Sequence, residues 1–160
     1  MNTITFTPIG VIHTQFKTPA GTPIQPAAGR DVAGRVEVYP AYVDGLADLD
    51  GFSHVVLLFH CHRAKPFTLK VTPFLDDEPR GLFATRAPSR PNAIGLSVVR
   101  LEKVEGNTLH IRDVDMLDGT PLLDIKPYVG AFDRPDNVRL GWLETRVDHL
   151  PDTRDDGRFQ

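Results

Sequence analysis

The runs GLFATRAPSRPNAIGLS, residues 81–97, and DMLDGTPLLDIKPY, residues 115–128, bracket the part of this chain that decides its fold. Between them lie two alternating segments, residues 96–104 and 108–116, joined through Glu105-Gly106-Asn107, and that pattern predicts a β-hairpin. In the first run Pro88 and Pro91 fix φ and drive the preceding residues out of the helical region. Arg86 and Arg90 therefore stand on a stiff, non-helical loop beside Asn92 and Gly95. The second run crowds Asp115, Asp118, Thr120, Asp124, Lys126 and Tyr128 among apolar residues, with an Asp-Gly turn signal at 118–119. Both polar runs lie beyond the outer ends of the hairpin, which brings them side by side. One polar site assembled there is the expectation.

Outward from the hairpin, short strands dominate. Residues 4–13 alternate as a strand, with Ile4, Phe6 and Pro8 on one face, and residues 35–39 place Val36 and Val38 in phase. The most apolar stretch, residues 52–63, reads as a central strand buried on both faces around 55–59. Residues 67–74 form another strand, and 82–84 a short one leading into the arginine loop. Residues 17–30 read as loop, residues 40–49 as a brief helix opened by Pro40, and residues 137–146 fit a strand or a short helix. Many short strands, 14 prolines and few helical stretches predict a mostly-β fold, a small β-barrel with a few short helices and no Rossmann unit. The barrel domain is expected over residues 1–147, followed by a polar, frayed tail over 148–160. A homodimer is one way to cover the strand edges of such a fold.

Composition bounds the function. With 160 residues, 41% hydrophobic and 24% charged, the chain suits one globular domain with a real core. Its net charge of −3 gives no bulk grip on a polyanion, so nucleic-acid contact requires a local basic patch. The single cysteine, Cys61, excludes an intrachain disulfide and fits a reducing compartment. The start MNTITFTPIG lacks the basic end and apolar run of a signal peptide, and no apolar stretch reaches the roughly 20 residues of a membrane helix. A cytoplasmic protein is expected.

Several chemistries compete with plainer readings of the same residues. His54, His60 and His62 share parity, and two histidines two apart can grip a metal, but they can equally be hydrogen-bonded residues at a strand end. No cysteine pair or His-Glu helix motif supports a metal, and none is expected. A nucleophilic hydrolase lacks its G-x-S-x-G elbow despite Ser89 and Ser97, and Cys61 lies in an apolar strand where thiols are inert. Neither a phosphate-binding P-loop nor a G-x-G-x-x-G dinucleotide loop occurs. Arg86 and Arg90 either clamp a carboxylate or phosphate, or pair with Asp115 or Asp118 to hold two loops together. If residues 124–128 are extended, Asp124, Lys126 and Tyr128 share a face, as a structural network or as proton-transfer groups.

The phrases FATR-x-P-x-RPN-x-IGLS and D-x-LDGTP-x-LDIKPY also resemble the signature of the TrmO/YaeB family, whose domain is called TsaA-like. IGVIHT near the start and DLDGFSHVVLLFHCH in the middle extend the resemblance, in the right order, over roughly residues 8–130. The resemblance implies a homodimeric β-barrel methyltransferase that uses S-adenosyl-L-methionine, bound near the dimer interface, to methylate N6 of threonylcarbamoyladenosine beside a tRNA anticodon. It implies cofactor contacts from Pro23, Ile24 and Gln25, from His62 and Arg63, and from Arg86, Leu96, Met116, Leu117, Asp118 and Gly119. That acceptor nitrogen is a poor nucleophile, because its lone pair is delocalised, so a base should remove its proton. Asp124 or Tyr128, tuned by Lys126, are the expected groups. The same catalyst acting on a small molecule, or a cofactor-binding module without turnover, are the alternatives. Ala87 stands where the family usually has Ser and Ala93 where it usually has Pro. Longer members carry a further C-terminal domain, where a tail holding Arg154 and Arg158 is expected here.

Overall fold

A computed structural model describes residues 2–159. Its centre is a closed barrel of six antiparallel strands: β1 (Gly10–His13), β2 (Ala33–Val38), β3 (His54–His60), β6 (Ile94–Glu105), β7 (Thr108–Arg112) and β8 (Thr120–Pro127). Around the wall the order is β1-β2-β7-β6-β3-β8, and β8 returns to β1. Two further strands, β4 (Lys70–Val71) and β5 (Arg80–Gly81), pair beside the barrel, and one short helix, α1 (Gly130–Asp133), follows β8. The mostly-β barrel expected from the sequence is the fold observed. Among the described residues, no helix is long and apolar enough to cross a membrane.

Alternation builds the core. Ile12, Val36, Val38, Val55, Leu57, Val99, Leu109, Ile111 and Leu122 point inward and are buried, while their strand neighbours face out. The predicted hairpin is β6–β7. It turns through Gly106 and Asn107, with Gly106 at φ +60° in the first central position that suits the twist of paired strands. Strand β7 stops at Arg112, before the expected residue 116, because Asp113 takes φ +68° and ends the ladder. Residues 113–119 then cross the open end of the barrel.

Other expectations need correction. Strand β1 covers only Gly10–His13, and Ile4 and Phe6 are 77% and 62% exposed. Its ladder with β8 spans only Gly10–Ile12 against Thr120–Leu122, with the Ile9 N–H on the Leu122 carbonyl, and among the described residues those before Ile9 join no ladder. Strand β3 is buried on its inner face alone. Val56 and Leu58 lie on the outer wall, where no second layer covers them. Only Lys70 and Val71 of residues 67–74 pair, and the flanking Pro66 and Pro73 carry no N–H for a ladder. Residues Leu82–Ala84 form a 3-10 turn because buried Leu82 accepts the Thr85 N–H. The brief helix after Pro40 is a 3-10 helix, Pro40–Leu46, and residues 137–146 contain a 3-10 turn, Gly141–Leu143. The segment after residue 147 is not frayed. Asp155 donates its backbone N–H to the Thr22 carbonyl at 2.9 Å and accepts from the Gly21 N–H at 2.8 Å, and Phe159 is buried against Phe74, Val71, Leu82 and Ala87.

Candidate functional site

The barrel is open where β3, β7 and β1 end and β6, β8 and β2 begin. A cleft of about 800 Å³ lies at this end. Phe59 and Cys61 from β3 and its exit form part of the floor, with Ser97 of β6 and Thr120 of β8. Gly95 belongs to the same floor for a steric reason: a Cβ there would sit 2.2 Å from the Phe59 ring. One wall is the arginine loop, Phe83 to Arg90. Another is the early loop at Thr22–Gln25. The third is the C-terminal segment, which contributes Trp142, Leu143, Val147 and Phe159.

The crossing segment supplies the one acidic group deep in the floor. Asp115 is half-buried, and its Oδ1 accepts a hydrogen bond from Ser97 Oγ at 2.7 Å. Burial pushes its carboxyl up to about 7, against the downward pull of Ser97 and the Arg86 guanidinium. Burial, reinforced by Asp115, also pushes the Cys61 thiol up to about 11, so the thiol stays protonated. Burial first, then the neighbouring Arg63 charge and His60, lowers His62 below its ordinary value. The Arg86 guanidinium donates to Gln25 Oε1 at 3.0 Å and so links two walls. Arg63 donates to the Lys17 carbonyl at 3.0 Å.

Of the residues implied to contact a cofactor, Pro23, Ile24, Gln25, His62 and Arg63 line this cleft, as do Arg86, Leu96, Met116 and Leu117. The hairpin brings only the last four together; barrel closure carries the other five to them. Asp118 and Gly119 stand behind the lining. Asp118 accepts from the Thr14 N–H at 3.1 Å and from Lys17 Nζ at 2.6 Å, and the Lys17 ammonium holds its carboxyl below the usual range. Gly119 takes φ +78° and donates to the Ile12 carbonyl, completing the turn that presents Met116 and Leu117. Arg90 is a brace for its own loop. It donates to the Thr85 and Ala87 carbonyls at 2.9 and 3.2 Å.

Asp124, Lys126 and Tyr128 lie elsewhere. The β3–β8 register sets Asp124 beside Leu58 and Lys126 beside Val56 on the outer wall, where the two form an ion pair at 2.7 Å. Tyr128 sits at the opposite end of the barrel, its N–H donating to the His54 carbonyl and its ring edge-on to His54. The three histidines are likewise dispersed: His54 begins β3, His60 ends it, and His62 follows in a turn. Among the described residues no group of three or more His, Cys, Asp or Glu is arranged to hold a metal ion.

The sequence placed Asp115 in the polar run expected at the site but gave it no role beyond pairing with an arginine, and it gave no sign of the third wall's docking beyond the lone Trp142. Its indole N–H donates to the Ala84 carbonyl at 2.8 Å, fastening the C-terminal segment to the arginine loop.

A closed six-stranded barrel whose end cleft combines apolar walls, rim arginines and a floor carboxylate defines a small-molecule-binding barrel domain outside the dinucleotide-binding α/β class. Residues 11–134 match the model of the tRNA-methyltransferase O N-terminal domain, and the chain belongs to that family. It is 58% identical over 98% of its length to a Pyrococcus abyssi protein named as a probable S-adenosyl-L-methionine-binding protein, and covers 85% of that protein. It is 40% identical to the human tRNA (adenine(37)-N6)-methyltransferase, with 82% of this chain matched to 31% of the human one. The crystal structure of TrmO from Pseudomonas aeruginosa superposes with a TM-score of 0.74 at 40% identity, covering 88% of this chain and 63% of that one.

Proposed function

We propose that this protein is an S-adenosyl-L-methionine-dependent methyltransferase acting on N6 of the adenosine beside a tRNA anticodon, with threonylcarbamoyladenosine as the acceptor. The observation that carries the reading is the donor set of the cleft. S-adenosyl-L-methionine joins an aromatic base, a sulfonium cation and an amino-acid end; the cleft offers apolar walls, one floor carboxylate and rim guanidiniums. In this reading Arg63 and Arg86 hold the ligand's carboxylate. Asp115 lies on the side where a cation is favoured. When bound, the cofactor supplies an electrophilic methyl group that needs no metal.

For the chain's own part, Asp115 is suited to hold a proton near neutral pH, and Ser97 fixes its orientation at 2.7 Å. It is the proton acceptor that this reading places at the cleft floor. Asp124, Lys126 and Tyr128 serve that role only if a second copy presents them. The partly exposed outer strip Val56, Leu58, Leu96 and Val98 is a surface on which such a homodimer forms in this reading. Relatives named as methyltransferases are longer than this chain, so the test is turnover by the chain itself.

That test is nucleoside mass spectrometry on tRNA from cells that make threonylcarbamoyladenosine but lack the methyltransferase, incubated with the protein and S-adenosyl-L-methionine. A methylated form of that nucleoside is the expected product. Cofactor binding by calorimetry without any methylated nucleoside would refute the tRNA reading and leave the barrel as a binding module or a small-molecule enzyme.

A further inference from the structure

Phe83 is 73% exposed, yet nothing about its placement is loose. Its turn is anchored by buried Leu82, whose carbonyl accepts from both the N–H and the Oγ1 of Thr85 at 3.1 and 2.8 Å. On the other side Ala84 is held by the Trp142 indole. Arg90 backs the ring, its guanidinium carbon 5.8 Å from the ring centroid and its N–H groups locked on two loop carbonyls. A rigid aromatic with a cation at its back and an open remainder is a stacking surface.

Charge at the same rim is unusual for this chain. Arg80 and Arg146 share the single carboxylate of Asp76, and Arg158 pairs with Asp156. Arg63, Arg86 and Arg90 instead bond to carbonyl and amide oxygens, and none of them makes an ion pair among the described residues. A chain of net charge −3 thus sets three arginines without a paired carboxylate along the same cleft as this exposed ring.

We propose that Phe83, backed by Arg90, is the platform on which an unpaired base of the substrate RNA loop stacks. The proposal rests on the RNA reading of the cleft and specifies how the loop is held. Unpaired bases stack on aromatic and guanidinium planes, whereas a continuous duplex offers no free base face. Fluorescence anisotropy with a labelled threonine-tRNA anticodon stem-loop, and with a blunt RNA duplex of the same stem, tests it. Phe83→Ala should weaken the stem-loop roughly 5- to 150-fold. Phe83→Tyr should restore most of the loss, and duplex affinity should stay unchanged. Unchanged stem-loop binding by Phe83→Ala overturns the platform, as does equal weakening of the duplex. Loss of cofactor affinity instead would assign the ring to the cofactor, and a change of sedimentation alone would assign it to a second copy; either outcome overturns the proposal. A wild-type protein that ignores the stem-loop would instead sink the RNA reading itself.

Discussion

Replacing Asp115 by Asn should change how stability depends on pH, in a way that reports directly on the cleft floor. The Asp115 carboxyl lies at about 7 in the folded protein, against an ordinary value of 3.8, because burial penalises the anion. Between those values the folded protein keeps a proton that the unfolded chain has released. Stability is therefore fully present below the unfolded value and falls as pH rises towards 7, by about 1.4 kcal/mol per pH unit, levelling off above it. Across the whole window the loss reaches about 4 kcal/mol at most, and solvent in the open cleft reduces it. Asn keeps an acceptor for the Ser97 hydroxyl but cannot ionise. Urea denaturation of both ligand-free proteins, at intervals from about pH 5 to about pH 8, gives the comparison. The variant's advantage should grow with pH up to about 7 and then stay constant. Taking the difference cancels the histidines and the other carboxylates. Parallel stability curves would refute the buried-carboxylate account.

Other consequences are more local. Gly95→Ala forces the Phe59 ring aside, since the new Cβ would lie 2.2 Å from it; a loss of about 1–3 kcal/mol is expected, read by chemical denaturation, together with weaker ligand binding. Phe159→Ala should remove about 3 kcal/mol and lower ligand affinity, because the ring packs at 5.0 Å against Phe74 and forms part of the cleft wall. A variant as stable as the parent would mean that the C-terminal segment is not docked in solution. Cys61, with its thiol at about 11, should react with iodoacetamide far more slowly at neutral pH than an unhindered thiol, and the rate should climb through alkaline pH. Mass spectrometry of the alkylated protein measures that rate, and fast labelling near pH 7 would contradict the burial.

The sequence made the barrel legible where alternation was clean. Val36 and Val38 and the hairpin around Gly106 kept the period of two that a half-buried strand requires, whereas the unbroken apolar run Val55 to Phe59 marked a strand but not its single buried face. It misled where alternation persisted without a partner. Ile4 and Phe6 alternate as well as Gly10 to His13 do, but among the described residues those before Ile9 join no ladder. The meeting of the arginine loop with the crossing segment followed from the hairpin alone. The early loop and His62 reach the same cleft through barrel closure, which no local pattern encodes. Asp124 and Lys126 show the limit of parity: they do share a face, and it is the outer one. What hid the third wall was its polarity. A segment rich in Asp and Arg docks through Phe159, Trp142 and backbone bonds from Asp155 to Gly21 and Thr22, contacts too sparse to give a periodic signal.

That docking orders events during synthesis. The barrel closes when β8 emerges to pair with both β1 and β3, by residue 127. Its seam joins distant parts of the chain, which makes closure a late and slow step for the early strands. The last wall of the cleft comes later in the sequence, from Asp155, which donates to the Thr22 carbonyl and accepts from Gly21, and from Phe159, which packs on Phe74. The barrel strands thus all precede the final wall in order of synthesis. In the proposed reading the ligand site is completed by a stretch that lies outside the family's matched domain.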